Sequence, residues 1–254
     1  MKTSTLLATL LSFTLIYSCA KEDQPEHGAK ACQLRYNVIV EEGAASDSFN
    51  YQYNGAGQLT KVTSGKYDYT LQYDAGRVVG RKYFYAGSDE MFASDTVLYN
   101  PGGIINEIKR TDPLGFAIQT IRFTYNSNKL TALSFFNEKD ELKAKYNYTY
   151  TINNITAIAG DESWDNINRS FSYRFTYDTR SNNNKWGQQA LLYDGFLSDH
   201  MGLSVIYAIS DNYVKTIEQN GLTVPVSYTI DGNNNTTAIT VAGQPVMRGA
   251  YNCP

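Results

Sequence analysis

The chain has 254 residues, of which 42% are hydrophobic and 13% aromatic, so it can build a sizeable core. Its charged fraction is 19% and its formal net charge is −3. These values exclude a disordered chain and a basic nucleic-acid binder, and the repeats described below predict one folded domain at residues 34–254.

Residues 1–18 have the features of a secretion signal peptide. Lys2 supplies the positive charge, and a largely apolar stretch of eleven residues runs from Leu6 to Ile16. A membrane-spanning helix needs about 20 apolar residues, so this stretch is too short to span a bilayer. Without Lys2 the chain keeps 21 basic and 25 acidic residues, a net charge of −4 that argues against nucleic acid or anionic lipid headgroups as partners.

The next four residues, Ile16-Tyr17-Ser18-Cys19, resemble the lipobox of bacterial lipoproteins, although Tyr17 is bulkier than the usual residue. The resemblance implies a mature chain that begins at a lipid-modified Cys19 and is held in the membrane only by that anchor. Several acyl chains together anchor a protein stably. The alternative is ordinary secretion, with Cys19 as an unmodified residue.

Polar residues follow the lipobox directly. Lys21, Glu22 and Asp23 are similar to the signal that exports Bacteroidota lipoproteins to the outer face of the cell. This similarity implies an outer-membrane lipoprotein displayed on the cell surface. The alternative is a periplasm-facing lipoprotein in which residues 19–33 are only a solvated tether.

Cys32 and Cys253 flank the rest of the chain. Compartments outside the inner membrane are oxidising, so we predict a disulfide bond between them. The bond requires Cα atoms within about 7 Å of each other. The alternative is two separate thiols.

Between these cysteines, one pattern recurs about eight times. Apolar and polar residues alternate up to an aromatic or aliphatic centre, as in Phe49-Tyr51-Tyr53, and an Asn- or Gly-rich turn follows. Such alternation predicts a β-strand with one buried face, and Asn and Gly suit the positive φ of tight hairpin turns. The centres are Tyr53, Tyr73, Tyr99, Tyr125, Tyr150, Tyr177, Ile209 and Ile230.

The returning strand of each unit carries two apolar residues three positions apart, as in Leu59 and Val62. This spacing does not fit one face of a regular strand. Either the first residue packs at the turn or a β-bulge intervenes, and both interpretations are open.

About eight hairpins predict an all-β fold of roughly sixteen strands in a single antiparallel meander. The segment Tyr73-Asp74-Ala75-Gly76 resembles the Tyr-Asp hairpin repeats of large secreted toxin and adhesion shells. The repeats as a whole resemble a family of uncharacterised Bacteroidota lipoproteins with a porin-like fold. The resemblance implies a closed porin-like barrel. Because side chains fill a cylinder of only about eight strands, a soluble sheet of this width can instead flatten, stay open as a half-barrel or hold a plug.

Residues 185–204 interrupt the repeat. A sixteen-stranded cylinder is too wide for its own wall side chains to fill, so we expect this insertion to pack against the concave face. Its aromatic residues Trp186, Tyr193 and Phe196, together with Trp164, are the candidate ligand contacts, since Trp and Tyr rings can stack on sugar faces.

Neither a catalytic motif nor a metal-ligand spacing stands out, so we expect no enzyme activity, cofactor or metal. Asp161, Glu162 and Asp165 lie near Trp164, a mixture of acids and aromatics found in glycosidases, but proximity in sequence does not set the separation of two carboxyls. Asp95-Thr96-Val97 is similar to the short O-glycosylation acceptor of Bacteroidota.

The sequence favours a binding module that captures a glycan or similar ligand. The alternatives are a structural or partner subunit of an envelope complex, then a transmembrane barrel, and last an enzyme. The mean hydropathy of −0.40 and the charged residues along the strands argue against the transmembrane barrel.

Overall fold

The computed structural model describes residues 32–41, 44–164, 167–182 and 209–253, all within one compact unit, Cys32–Cys253. Sixteen β-strands lie in this part of the chain. They are β1 (Gln33–Glu41), β2 (Ala44–Tyr53), β3 (Leu59–Ser64), β4 (Tyr67–Asp74), β5 (Arg77–Tyr85), β6 (Met91–Tyr99), β7 (Ile105–Thr111), β8 (Ala117–Asn126), β9 (Lys129–Asn137), β10 (Leu142–Thr151), β11 (Asn154–Trp164), β12 (Ile167–Ser181), β13 (Asn212–Gln219), β14 (Leu222–Ile230), β15 (Thr236–Val241) and β16 (Gln244–Asn252).

Each strand pairs antiparallel with its neighbours in sequence, and β1 pairs with β16, so the sheet closes into a barrel. The all-β antiparallel meander is therefore confirmed, and the open half-barrel is excluded because the pairing of β1 with β16 leaves no free sheet edge. No helix in the described ranges is both long and apolar enough to cross a membrane.

The two faces of the wall differ in polarity. In β10, Ala144, Tyr146 and Tyr148 are buried, whereas the intervening Lys145 and Asn147 are exposed. Since the barrel is a single closed layer, the buried face points inward and the polar face points outward. The inward aliphatic and aromatic residues of all the hairpins form one continuous core.

A β-bulge explains the apolar pairs three residues apart. Tyr53 lies opposite Leu59 and Gln52 lies opposite Lys61, which leaves Thr60 as the extra residue. The bulge turns both Leu59 and Val62 inward, and each is buried. The same register shift occurs opposite Tyr73, Tyr99, Tyr125, Tyr150, Tyr177 and Ile230.

Five of the repeat-centre tyrosines link their hairpin to the strand before it. The Tyr73 hydroxyl donates to the Leu59 carbonyl at 2.7 Å, and the Tyr99 hydroxyl donates to the Val78 carbonyl at 2.7 Å. Equivalent bonds join Tyr53 to Leu34, Tyr150 to Leu130 and Tyr177 to Ile155. In these five residues the ring packs partly buried against the core while its hydroxyl satisfies a backbone carbonyl.

The turns follow a common design as well. The side-chain amide oxygen Oδ1 of Asn54 accepts hydrogen bonds from the backbone N–H groups of Ala56 and Gln58, and Gly57 has a φ of 80°. Asp231 makes the same two bonds with Asn233 and Asn235. These short side chains satisfy turn amides, which is why Asn and Asp recur beside the repeat centres.

The assignment of Ile209 as a repeat centre was wrong. Val214 and Ile217 pair with Tyr177 and Phe175, so they form the returning strand of the Tyr177 hairpin. Ile209 precedes β13 and lies outside any strand. The seven remaining hairpins supply β2 to β15, and the last two strands of the sixteen are β1 and β16, which pair with each other and close the barrel.

The barrel has two distinct ends. The hairpin end carries the turns at 54–58, 75–76, 100–104, 127–128, 152–153 and 231–235. Cys32 and Cys253 also lie there and form a disulfide bond, with a Cα–Cα distance of 4.2 Å. The far end carries the connections at 65–66, 86–90, 112–116, 138–141, 220–221 and 242–243.

Several predicted features lie outside the described residues. They are the signal peptide at 1–18, the lipidation residue Cys19, the export residues Lys21, Glu22 and Asp23, and the insertion at 185–204 with Trp186, Tyr193 and Phe196.

Candidate functional site

The core contains one charged residue at a position where the repeat otherwise carries an aliphatic side chain. Arg81 occupies the second inward position of its returning strand, equivalent to Val62, Ile108, Leu133 and Ile158. Its side chain is 0% exposed. A fully buried arginine costs a large desolvation penalty unless it is paired, so its surroundings define the first candidate site.

Four inward side chains from β5, β6 and β7 form a network around Asp95. Arg81 and Tyr83 both donate to the Asp95 carboxylate, the tyrosine hydroxyl at 2.8 Å. Arg110 donates from Nε to the other carboxylate oxygen at 2.9 Å and from Nη2 to the Tyr83 hydroxyl at 2.8 Å. The guanidinium carbon of Arg110 also lies 4.5 Å from the centre of the Tyr83 ring.

The network keeps Asp95 ionised. Burial alone would raise the pKa of the Asp95 carboxyl, but the charges of Arg81 and Arg110 and their hydrogen bonds outweigh burial and lower this pKa below its ordinary value. A carboxylate held in this way acts as a fixed counter-ion rather than as a proton donor.

A second polar cluster lies across the far end on β10, β11 and β12. Tyr146 donates its hydroxyl to Glu162, and Arg169 forms an ion pair with the same carboxylate. Burial, followed by the hydrogen bond to Glu162, raises the pKa of the Tyr146 hydroxyl, so that this tyrosine stays protonated as a donor. Phe171 packs directly over Gly160, where any Cβ atom would clash with its ring.

A cleft of about 410 Å³ opens at the far end between these clusters. Side chains from β7 to β11 and from the β9–β10 connection line it: Arg110, Ile118, Gln119, Asn137, Glu138, Lys143 and Trp164. The volume falls in the range of small-molecule sites. Arg110 belongs to both the Asp95 network and the cleft, and it connects the buried charges to the opening.

The polar groups of the cleft are mainly hydrogen-bond donors. The ammonium of Lys143, the guanidinium of Arg110 and the indole N–H of Trp164 can only donate. Asn137 is already engaged in its turn, where its carbonyl oxygen accepts from the backbone of Lys139 and Glu141. The cleft therefore presents an aromatic surface and several donors to whatever enters it.

Of the residues proposed as ligand contacts, Trp164 lies in this cleft, half-buried against the core. Asp161 and Glu162 point to opposite faces of the wall, Asp161 bonding Ser170 at 2.6 Å on the outside. Asp165 lies outside the described residues. In the described ranges, no group of three or more His, Cys, Asp or Glu side chains could hold a metal ion.

Asp95, noted earlier as part of a glycosylation-like tripeptide, is buried and ion-paired, whereas its neighbour Thr96 faces outward. The sequence reasoning missed Arg81 and Arg110. Aligning the returning strands would have revealed Arg81, because a charged residue stands there in a column of aliphatic ones. Arg110 could have been found in the same way, two positions after Ile108, where Phe135 follows Leu133.

Solved structures share this fold at low sequence identity. A porin-like protein from Bacteroides uniformis ATCC 8492 matches with a TM-score of 0.57 and 16% identity, over 87% of this chain and 95% of that chain. A porin-like protein from Bacteroides vulgatus ATCC 8482 matches with a TM-score of 0.47 and 14% identity, over 87% of this chain and 99% of that chain. The first similarity supports the barrel fold alone. No model of a protein family matches the chain, and no curated protein does.

Proposed function

We propose that this protein is a lipid-anchored, non-catalytic saccharide-binding protein of the cell envelope, and that the far-end cleft is its binding site. The observation that carries the proposal is the joining of Trp164 with the polar side chains of Gln119, Arg110 and Lys143 in one opening. An aromatic face can stack on a sugar ring, and the surrounding donors suit its hydroxyl oxygens.

The rigidity of the wall favours binding. Gln119 lies on β8 and Trp164 on β11, and hydrogen bonds to Asp95 and Tyr83 fix Arg110. A site whose side chains are already fixed loses little conformational entropy when a ligand binds, and affinity benefits accordingly.

The position of the cleft is consistent with an anchored receptor. Cys32 lies at the hairpin end, so a tether leading from a lipidated Cys19 would join the barrel at the end opposite the cleft. The lipobox resemblance supports the anchor, and the similarity to a protein described as porin-like supports an envelope location.

The polarity of the wall favours an anchored barrel over a membrane-spanning one. A transmembrane barrel carries apolar residues outward and polar residues inward. Here the order is reversed, because Lys82, Lys145 and Arg174 are exposed on the outer face while most inward side chains form an apolar core. The similarity to proteins described as porin-like is therefore taken to concern the fold and not the passage of solutes.

The state of the carboxylates favours binding over catalysis. Asp95 and Glu162 are each held by arginine and tyrosine side chains. A general acid needs a carboxyl whose pKa lies near the working pH, and the lowered pKa of Asp95 is the opposite of that requirement.

A partner subunit of an envelope complex is the second candidate. It is favoured by exposed apolar side chains in the far-end connection that follows β7: Leu114 is 81% exposed and Phe116 is 68% exposed. Ile118 and Leu142 extend this surface. Exposed apolar side chains grouped in this way are typical of protein contacts.

The proposal is tested with the full-length protein, purified in detergent, on an array of immobilised plant, host and bacterial polysaccharides. We expect binding to at least one polysaccharide, weakened about tenfold or more by Trp164→Ala, because loss of ring stacking costs about 1 kcal/mol and lost donor contacts add to it. Tyr85→Ala is the matched control, since Tyr85 is an exposed aromatic at the same end but does not line the cleft.

Absence of binding to every polysaccharide would refute the saccharide-binding function. Equal loss of binding in the Tyr85 and Trp164 variants would also refute it, because the cleft would then have no special role.

A further inference from the structure

The charges of the cleft are not balanced by its own lining. Two cationic side chains, Arg110 and Lys143, line it together with a single anionic one, Glu138, which is exposed at the rim. The chain as a whole is acidic, with a formal net charge of −3. The lining therefore carries an excess of one positive charge, which favours an anion in the cleft.

Arg110 is held in a fixed orientation. Its Nε and Nη2 atoms contact Asp95 and Tyr83 on the inner side, and the Tyr83 ring lies under its plane. Its side chain nevertheless remains 25% exposed, and this exposed part lines the cleft. Because Nε and Nη2 already donate to Asp95 and Tyr83, the exposed part of the guanidinium presents a fixed positive charge to the cleft, and this charge attracts a carboxylate.

Lys143 is the second cation. It forms an ion pair with Glu141 at 3.1 Å, and Glu141 is largely exposed. Exposed ion pairs contribute little free energy, so a ligand carboxylate can replace Glu141 as the partner of Lys143 at small cost.

We propose, building on the saccharide-binding function above, that the cleft selects acidic saccharides. A carboxylate on the sugar ring is received by the guanidinium of Arg110 and the ammonium of Lys143, while Trp164 contacts the face of the ring. Asp95 and Tyr83 hold Arg110 in place and do not contact the ligand.

The test compares each acidic polysaccharide with its own neutral counterpart. Polygalacturonate, alginate, hyaluronan and chondroitin are each presented intact and after chemical reduction of their carboxyl groups to primary alcohols. The sugar backbone is kept and only the charge is removed. We expect the full-length protein to bind at least one intact polymer about tenfold or more tightly than its reduced form, with an affinity that falls as salt concentration rises.

Variants locate the effect. Arg110→Gln is expected to weaken binding of the intact polymer about tenfold or more and binding of the reduced polymer to a smaller extent, so that the ratio of the two affinities falls. Arg122→Gln is the matched control, because Arg122 is a strand arginine with carboxylate partners on the outer face of β8. If Arg110→Gln does not fold, Lys143→Gln gives the same test. The ion pair of Lys143 with the exposed Glu141 adds little stability, so this variant should fold.

The outcomes are distinct. Equal or tighter binding of the reduced or other neutral polysaccharides would overturn the acidic preference and leave the saccharide-binding function standing. Binding to none of the intact, reduced or other neutral polysaccharides would overturn both. An acidic preference that survives both cleft variants would place the recognition elsewhere and would overturn this assignment.

Discussion

We expect the buried ion pair between Arg81 and Asp95 to serve the cleft, where Asp95 holds Arg110, and not to increase the stability of the barrel. The other hairpins carry apolar residues at both positions, for example Ile108 and Ile121. Replacing both charged residues with the residues of the repeat, as Arg81→Leu with Asp95→Ile, should therefore give a barrel that folds.

The magnitudes follow from the burial of each group. Asp95→Ile removes the carboxylate from a fully buried Arg81 and should destabilise the protein by about 3–5 kcal/mol. Arg81→Leu should cost less, about 1–3 kcal/mol, because Asp95 keeps Arg110 and Tyr83. The double variant should recover most of the cost of Asp95→Ile because it also removes the buried Arg81, and it should stay about 1–2 kcal/mol below the parent protein because Arg110 and Tyr83 lose their carboxylate partner.

Urea denaturation followed by far-ultraviolet circular dichroism measures all four proteins under one set of conditions. The coupling energy of the double-mutant cycle should be at least about 2 kcal/mol. A double variant that is destabilised by the sum of the two single changes would refute the reasoning, because the two residues would then contribute independently.

Three further predictions concern the disulfide, the tyrosines and pH. Replacing Cys32 and Cys253 with serine opens a loop of 221 residues and should lower the free energy of unfolding by about 5 kcal/mol, measured by urea denaturation. A reductant should lower the urea midpoint of the parent protein and leave that of the serine variant unchanged. Tyr99→Phe should cost about 1 kcal/mol of stability, because the Tyr99 hydroxyl donates to a carbonyl. Tyr125→Phe should cost nothing in the same assay, because the Tyr125 hydroxyl is buried without a partner among the described residues. Equal costs for the two variants would contradict this reasoning. The lowered pKa of Asp95 means that its contribution to stability is fully present above about pH 4 and is lost as the pH falls further, so the stability difference between the parent and Asp95→Asn should shrink in acid.

Much of the barrel could be predicted from the sequence because the residues that determine each hairpin lie close together in the sequence. The alternation in Phe49-Tyr51-Tyr53 sets the inward face, and Asn54 with Gly57 sets the turn. Both signals act over fewer than ten residues. Repetition of such a unit leaves a meander as the simplest arrangement.

The features that could not be predicted depend on pairing between strands. The bulge at Thr60 is defined by its opposite residues, so the spacing of Leu59 and Val62 alone could not distinguish a bulge from packing at the turn. Ile209 was assigned wrongly for the same reason, since Ser210 and Asn212 imitate a turn although the strand that follows pairs with β12.

The candidate site depends on register in the same way. The sequence contains Arg81, Asp95 and Arg110 in separate strands, and only the pairing of Arg81 with Asp95 and of Asp95 with Arg110 brings them into one row. An alignment of the repeats can mark each as an exception. It cannot show that the exceptions are neighbours.

The charged residues that depart from the repeat, Arg81, Asp95 and Arg110, lie away from the hairpin end, where the repeat places fewer requirements on a side chain. At the hairpin end, Tyr73 and Tyr99 each pack a ring against the core, donate a hydroxyl to a carbonyl and lie opposite a bulge, so a change at either disturbs three interactions together. Toward the far end, inward positions require only that the core be filled or the charge be paired. Charged residues could therefore enter the repeat at Arg81, Asp95 and Arg110, and the cleft opens beside them. The regular hairpins supply a rigid wall, and the site occupies the place where the wall is free to vary.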